Sequence, residues 1–342
     1  MKSSKLAIRS CLSFATYLVL ASPTAHSGTG DNSPEVYTDN QLSSLYSTMN
    51  FGDGLLSCAQ RDGTYRFVAQ GECGWLDAEV RRLDRDGNSS NIGFEDDSWQ
   101  LSGGAQRGLN DHWMIGGALS YEDKELTQQG DAGKSDGYQL QLGGVIKRQH
   151  LPVVLSLSLS VGYADFDTQR TVQGGSRIDG DQELWMVSSQ FRMEHLREFD
   201  GWYLSPHLDW GIDFQSAADL SEASAASSGL NLDGKSKTFI YAQPALEIGG
   251  DIALGNERIL RPRLKVGATR FFSDADPQVE TSVDASSIVL TTRTQLDKTY
   301  FDAELGVDMF LGSNIVISLN AAGQFSSDTE IYGGNLKIAV PL

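Results

Sequence analysis

Ser205, His207 and Asp209 alternate along one stretch of the chain and offer a hydroxyl, an imidazole and a carboxylate, the set used in acyl transfer. On an extended chain, residues i and i+2 point the same way but sit about 6.6 Å apart at Cα, so such a row needs a partner from another strand to become a bonded triad. The other histidines fall elsewhere: His26 in the leader, His112 and His150 in turns, His195 at a strand end. No Gly-x-Ser-x-Gly, His-Glu-x-x-His or phosphate-loop pattern occurs. The expectation is a chain with no catalytic residues, no metal ligands and no cofactor, in which His207 is a satisfied interior side chain. An outer-membrane enzyme is kept as an alternative.

The second candidate chemistry is electrostatic. Arg261, Arg263 and Lys265 share one face of an extended segment, Glu247 lies on the segment before it, and Asp302, Glu304 and Asp308 lie on the segment after it. Neighbouring strands would set these opposite one another as a cross-strand ion-pair ladder that fills an interior. The alternative is an electropositive constriction selecting anions in an open pore. Further acids, Asp84, Asp86, Glu95, Asp96, Asp97, Glu122, Asp123, Glu125, Asp274, Asp276, Glu280 and Asp284, read as solvated loops. They could also gather divalent cations against anionic lipid headgroups, although none has the spacing of a dedicated calcium loop.

The elements that carry these residues are strands. Period-two alternation runs through most of the chain, clearest at Trp202–Phe214, where Trp202, Leu204, Pro206, Leu208, Trp210, Ile212 and Phe214 oppose Tyr203, Ser205, His207, Asp209, Gly211 and Asp213. Twelve such candidates follow Cys73: 75–83, 98–108, 113–121, 137–147, 153–164, 182–197, 202–214, 238–249, 258–271, 299–309, 315–325 and 332–342. The segment 182–197 fits least, because Leu184, Trp185, Met186 and Val187 put apolar groups on both faces. Most candidates are longer than the five or six residues usual in a soluble sandwich and match a tilted membrane strand, with an apolar exterior and polar interior. Connections alternate in length. Long ones lie near 84–97, 123–136, 166–180, 215–236 and 272–296, short ones at 109–112, 148–151, 198–201 and 311–314, and a middling turn at 250–257, while the last outer connection, Ser326–Glu330, is short and breaks the trend. That asymmetry is expected of an outer-membrane barrel with short periplasmic turns. Trp113 and Trp202 fall at one end of their strands and Tyr121, Tyr163, Trp210 and Phe214 toward the other, where headgroup belts form.

The start of the chain reads as an export signal. Met1–Arg9 is basic, Cys11–Ala21 is apolar but short, Pro23 breaks it, and Ala25-His26-Ser27 is a small-x-small cleavage site. Losing residues 1–27 removes Lys2, Lys5 and Arg9, which takes the formal charge from −18 to −21. So acidic a chain is not built for nucleic acid. The mean hydropathy of −0.28 and the lack of an 18-residue apolar run after the leader exclude a helical membrane protein. Residues 28–57 form a short N-terminal segment in which Leu42, Leu45, Tyr46 and Met49 mark one face of a helix over 39–50, with Asp39 as its N-cap. Cys58 and Cys73 remain in the exported chain and suggest a disulfide closing a hairpin over 58–73, a loop worth about 3 kcal/mol. Two buried thiols are the alternative.

The run Leu56-Ser57-Cys58 to Gly71-Glu72-Cys73-Gly74-Trp75, then Trp99-Gln100-Leu101-Ser102-Gly103-Gly104-Ala105-Gln106 and Asp111-His112-Trp113-Met114-Ile115-Gly116-Gly117-Ala118-Leu119-Ser120-Tyr121, resembles the translocator domain of type V autotransporters. The resemblance spans 55–342 and is specific at 56–121. It implies an all-β, twelve-stranded antiparallel transmembrane β-barrel over 58–342, with a helix threading or plugging the lumen. The 39–50 segment is the candidate for that helix. Two features depart from the family: only 30 residues, Gly28–Ser57, precede the barrel, and the chain ends Val340-Pro341-Leu342 rather than in Phe or Trp. The expected protein is therefore a monomeric, passengerless barrel of a Gram-negative outer membrane. Its partners would be the membrane's lipids and the barrel-assembly machinery, its loops would face the cell surface, and its role would be structural, surface interaction or translocation. The alternative is a small porin-like channel.

Overall fold

The structure is a computed structural model that describes residues 33–56, 72–172, 174–222, 229–255, 258–273, 276–282, 289–311 and 315–342. The leader and the 58–72 part of the expected hairpin, Cys58 included, lie outside the described residues apart from Glu72.

One helix, α1 (Glu35–Leu56), precedes a closed antiparallel barrel of 12 strands. The strands are β1 (Cys73–Arg85), β2 (Phe94–Gly108), β3 (Trp113–Gln128), β4 (Gly133–His150), β5 (Val153–Val172), β6 (Ser176–His195), β7 (Trp202–Ala217), β8 (Ser236–Gly250), β9 (Arg258–Phe271), β10 (Thr299–Leu311), β11 (Ile315–Phe325) and β12 (Thr329–Pro341). Each pairs with the next, and β1 pairs with β12 from Cys73 opposite Pro341 to Arg85 opposite Thr329, so the wall has no free edge.

The burial pattern is the inverse of a water-soluble sheet. On β5, Leu157 and Leu159 are 46% and 59% exposed, while Ser156 and Ser158, which alternate with them, are each 2% exposed. The apolar stripe is dressed for a solvent of lipid tails, and the hydroxyl stripe faces inward. Among the described residues, no helix is long and apolar enough to cross a membrane, so any crossing is made by strands.

Aromatic side chains bound the exposed stripe. Trp99, Tyr121, Tyr138, Tyr163 and Trp185 touch in series across β2 to β6, with ring centroids 5.6, 6.3, 6.4 and 4.9 Å apart. On β7, exposed Phe214 is paired with Val187, two residues from Trp185, and Trp210, lower on the same strand, stacks on Phe272. Near the short turns, Trp202 stacks on Phe199 at 4.0 Å and the Arg148 guanidinium lies 5.7 Å from the Trp113 ring. Trp113 and Tyr121 lie eight residues apart on β3, which at ~3.3 Å per residue and ~40° tilt is a height of about 20 Å.

Several sequence expectations are corrected here. The connections near 123–136 and 166–180 are mostly strand and that near 84–97 is partly so: β2 starts at Phe94, β3 runs to Gln128, β4 starts at Gly133, β5 runs to Val172 and β6 starts at Ser176. These hairpins continue past the aromatic level because their alternation persists in polar residues, which the apolar pattern does not reveal. The stretches near 215–236 and 272–296 hold a separate four-stranded sheet, ordered 289–293, 278–282, 231–233 and 220–221. Asp96 and Glu122, read as loop acids, are interior residues of β2 and β3 at 0% and 2% exposure. The weak 182–197 segment is a full strand. Leu184 and Met186 meet Ala164 and Phe166 in an apolar island inside the wall, while Trp185 and Val187 face out.

Candidate functional site: the helix-filled lumen

The helix is longer than its apolar face suggests. It starts at Glu35, where the backbone NH donates to Ser33 Oγ at 3.3 Å, and it runs to Leu56. Asp39 is therefore not the N-cap. It lies one turn in, and its carboxylate accepts Gln128 Nε2 and Thr294 Oγ1, both at 2.6 Å. Leu42, Leu45, Tyr46 and Met49 are buried as one side of the helix. Thr38, Asn40, Gln41, Ser43, Ser44, Ser47 and Thr48 are buried too, so a helix expected to dock by one face is enclosed on all sides.

Polar bonds from the wall meet that polar surface along its length. Asn40 Nδ2 donates to Ser135, Thr168 and Gln182 at 3.0–3.2 Å. Ser43 donates to Asp96, and Ser47 accepts Arg81 at 2.9 Å, within a buried group where Arg81 also pairs with Glu122 at 2.9 Å. Lys124 Nζ reaches Ser43 at 2.8 Å. Lower down, Arg192 binds Asp209 through two nitrogens at 2.6 and 2.7 Å and reaches helix residue Asp53 at 3.0 Å. Lys147 donates to the Leu56 carbonyl at 2.8 Å, which satisfies one of the open carbonyls of the helix end.

Two apolar layers cross the lumen. Leu42, Leu45, Tyr46 and Met49 join Phe239, Tyr241, Phe271 and Tyr300 in one, where the Tyr46 hydroxyl donates to that of Tyr300. Phe51, Leu55 and Leu56 join Trp75, Ile259, Phe310 and Val316 in the other, toward the short-turn rim. Gly143 faces this end: a Cβ there would lie 2.5 Å from Leu55 Cδ1 and 3.0 Å from Phe51 Cε1. The helix backbone lies nearest β4 and β5, and a cavity of about 290 Å³ remains beside Asn50, Asp53, His207, Glu247 and Arg263.

The far mouth is roofed by the small sheet. Leu232, Val279 and Leu296 pack with Val36 and Tyr37. Tyr37 donates to Glu222, which also takes Arg170 at 2.6 and 2.8 Å. Asn91 bridges Glu35 at 2.7 Å and the Arg293 carbonyl at 2.7 Å. Glu35 lies level with these loop residues. Burial pushes its carboxyl up to about 6, against the lowering effects of the Ile92 NH, Asn91 and the Arg85 charge.

Of the seven charges read as a ladder, the structure gathers five. Arg263 lies 2.8 Å from Glu304, 3.5 Å from Glu247 and 3.7 Å from Asp308, and Lys265 lies 2.7 Å from Glu304. Arg261 turns instead to Asp251 at 2.8 Å and lies 4.6 Å over the Phe310 ring. Asp302 accepts Thr269 at 2.7 Å. Ser205 donates to Glu194 at 2.7 Å and Asp209 is taken by Arg192, so both neighbours of His207 are committed elsewhere. Among the described residues, no group of His, Cys, Asp and Glu is arranged to hold a metal ion. Cys73 is buried at the start of β1.

Sequence reasoning missed Arg81, Lys124, Arg192 and Glu222. The first three alternate inward within their strands, a signal that was present, and Arg192 stands directly opposite Asp209 on the next strand, while other partners come from the helix. Glu222 lies beyond β7 and carries no such signal.

The autotransporter beta-domain family model matches residues 74–322. No curated protein matches the sequence. Among solved structures, the translocator domain of autotransporter NalP from Neisseria meningitidis is 12% identical with a TM-score of 0.75, covering 91% of this chain and 100% of that one. The beta domain of the Bordetella autotransporter BrkA is 17% identical with a TM-score of 0.62, covering 80% and 100%. The transport unit of the autotransporter AIDA-I from Escherichia coli is 11% identical with a TM-score of 0.55, covering 88% and 98%. A closed barrel with an inverted apolar face, a helix filling its lumen and a family match over most of its length have one reading: the chain belongs to the autotransporter beta-domain family.

Proposed function

We propose that this barrel is a polypeptide translocator of the Gram-negative outer membrane, exported by residues 1–27, with α1 resting in the conduit after the chain has passed. The observation that carries this reading is the polar seat of α1. Thr38, Asn40, Ser43, Ser47, Asn50 and Asp53 meet polar wall groups, so the helix can exchange those bonds for water at either mouth. A purely apolar plug would pay a large hydrophobic cost on leaving. The rim with short turns then faces the periplasm, and the long-loop rim with its small sheet faces outside. The lipids of that membrane and the barrel-assembly machinery are the partners this placement calls for, the barrel acts as a monomer, and a Cys58–Cys73 disulfide anchors the segment below the helix.

Planar-bilayer recording tests this. The full chain should be electrically quiet, and a chain lacking residues 33–56 should conduct in steady, large steps. Steady large conductance from the full chain would favour the porin-like reading, which the two apolar layers across the lumen make less apt. Heat-modifiable gel mobility checks that each variant is a folded barrel, and thiol titration of the denatured, unreduced chain should find neither Cys58 nor Cys73 reactive.

A further inference from the structure

We infer that the barrel wall opens laterally between β8 and β9, and not between β1 and β12, where the chain closes on itself. The closing seam is registered without a break from Cys73–Pro341 to Arg85–Thr329. The β8–β9 seam is not. It pairs Tyr241 and Ala242 with Phe271 and Arg270, skips Gln243 and Pro244 opposite Ala268 and Thr269, and resumes from Ala245–Gly267 to Gly249–Arg263.

Three features converge on that stretch. Pro244 lies in the gap and removes one ladder donor there, while Pro206 and Pro262 stand at other levels, paired with Leu246 and Val307. Small residues, Ala245, Gly267 and Ala268, meet beside the gap, between the Tyr241–Phe271 and Leu246–Val266 pairs. Interior backing stops at the gap: on one side Tyr241 and Phe271 pack on the apolar side of α1, and on the other Glu247, Arg263 and Lys265 border the cavity.

What spans the gap is one side-chain bond. Gln243 Nε2 donates to Thr269 Oγ1 at 2.9 Å, while Thr269 donates to Asp302 of β10 at 2.7 Å. The Gln243 bond releases without unzipping the ladder, and its release joins the charged cavity to the bilayer. The inference concerns the wall alone and stands whether or not the barrel carries a cargo.

Amide hydrogen exchange on the full chain in detergent micelles or nanodiscs tests it. Amides at 240–249 and 263–271 should exchange at least tenfold faster than those at 140–146 and 157–163. A disulfide between Gln243→Cys and Thr269→Cys should abolish the difference. Should that double variant not fold, Thr269→Ala should speed exchange at this seam and leave β4–β5 unchanged. Equal protection of the two seams, or fastest exchange at β1–β12, overturns the inference, as does a Thr269→Ala variant with unaltered exchange.

Discussion

Asn50 of α1 points its amide nitrogen between the two oxygens of Glu79 on β1, at 2.9 and 2.8 Å. This ties the helix to the strand that closes the barrel, away from the β4–β5 wall that its backbone lies nearest. Helix and closure are thus joined by a neutral donor meeting a carboxylate.

Replacing that donor by a second carboxylate should loosen the helix. Asn50→Asp is expected to weaken helix docking by about 2 kcal/mol, the worth of a hydrogen bond to a charged group. Glu79→Gln in the same chain should restore it. Protease sensitivity of the helix and bilayer openings would both report the effect, and a double variant as loose as the single one would contradict it.

Gly143 is where the wall yields to the helix. Gly143→Val puts methyl groups where Leu55 and Phe51 stand, and overpacking of this kind costs about 1–3 kcal/mol. The barrel should keep its heat-modifiable mobility while the helix end is displaced, so bilayer openings should become frequent. A variant as quiet as the parent would count against this seat.

The exterior should respond to charge by depth. Leu159 is paired through Gly144 with Gly117, midway between Trp113 and Tyr121, so Leu159→Arg should destabilise the barrel by about 2–4 kcal/mol in lipid. Asp165, beyond Tyr163 on the same face, is level with other acids rather than with tails. Asp165→Arg should be nearly neutral or mildly stabilising in urea titrations of vesicle-embedded protein.

Acidity should tighten the outer end of the helix. The Glu35 carboxyl rises in the folded state from 4.5 to about 6, chiefly through burial. Asp39, one turn on, is also raised well above its usual range by burial and then by the Glu35 charge. A raised carboxyl stabilises docking below its unfolded value, and the contribution is lost as pH climbs through the folded one. For Glu35 that loss runs from the ordinary 4.5 up through about 6. Helix docking should be firmer at pH 4.5 than at pH 7, and Glu35→Gln should flatten most of that slope in pH-dependent proteolysis. An unchanged slope would assign it to other groups.

How much of this could be read from the residues follows from how local each interaction is. Alternation such as Leu157-Ser158-Leu159-Ser160 states which side of a strand meets lipid, whatever the neighbours, so wall and strand order were legible. Arg263 and Glu304 were legible as partners because they lie on consecutive strands joined by one connection. Arg192 with Asp53, Lys124 with Ser43 and Asp39 with Thr294 were not, because the first two span from wall to helix and the third from the mouth's loops to the helix. Their meeting depends on the rotation and depth of α1 in the lumen, which no strand period encodes. The polar continuations of β2 to β6 and the small sheet over the mouth were hidden for a related reason: outside the lipid the apolar stripe ends, and only the register of neighbouring strands keeps the chain extended. Composition and period thus determined the solvent each face meets, and tertiary packing alone decided what the polar face holds.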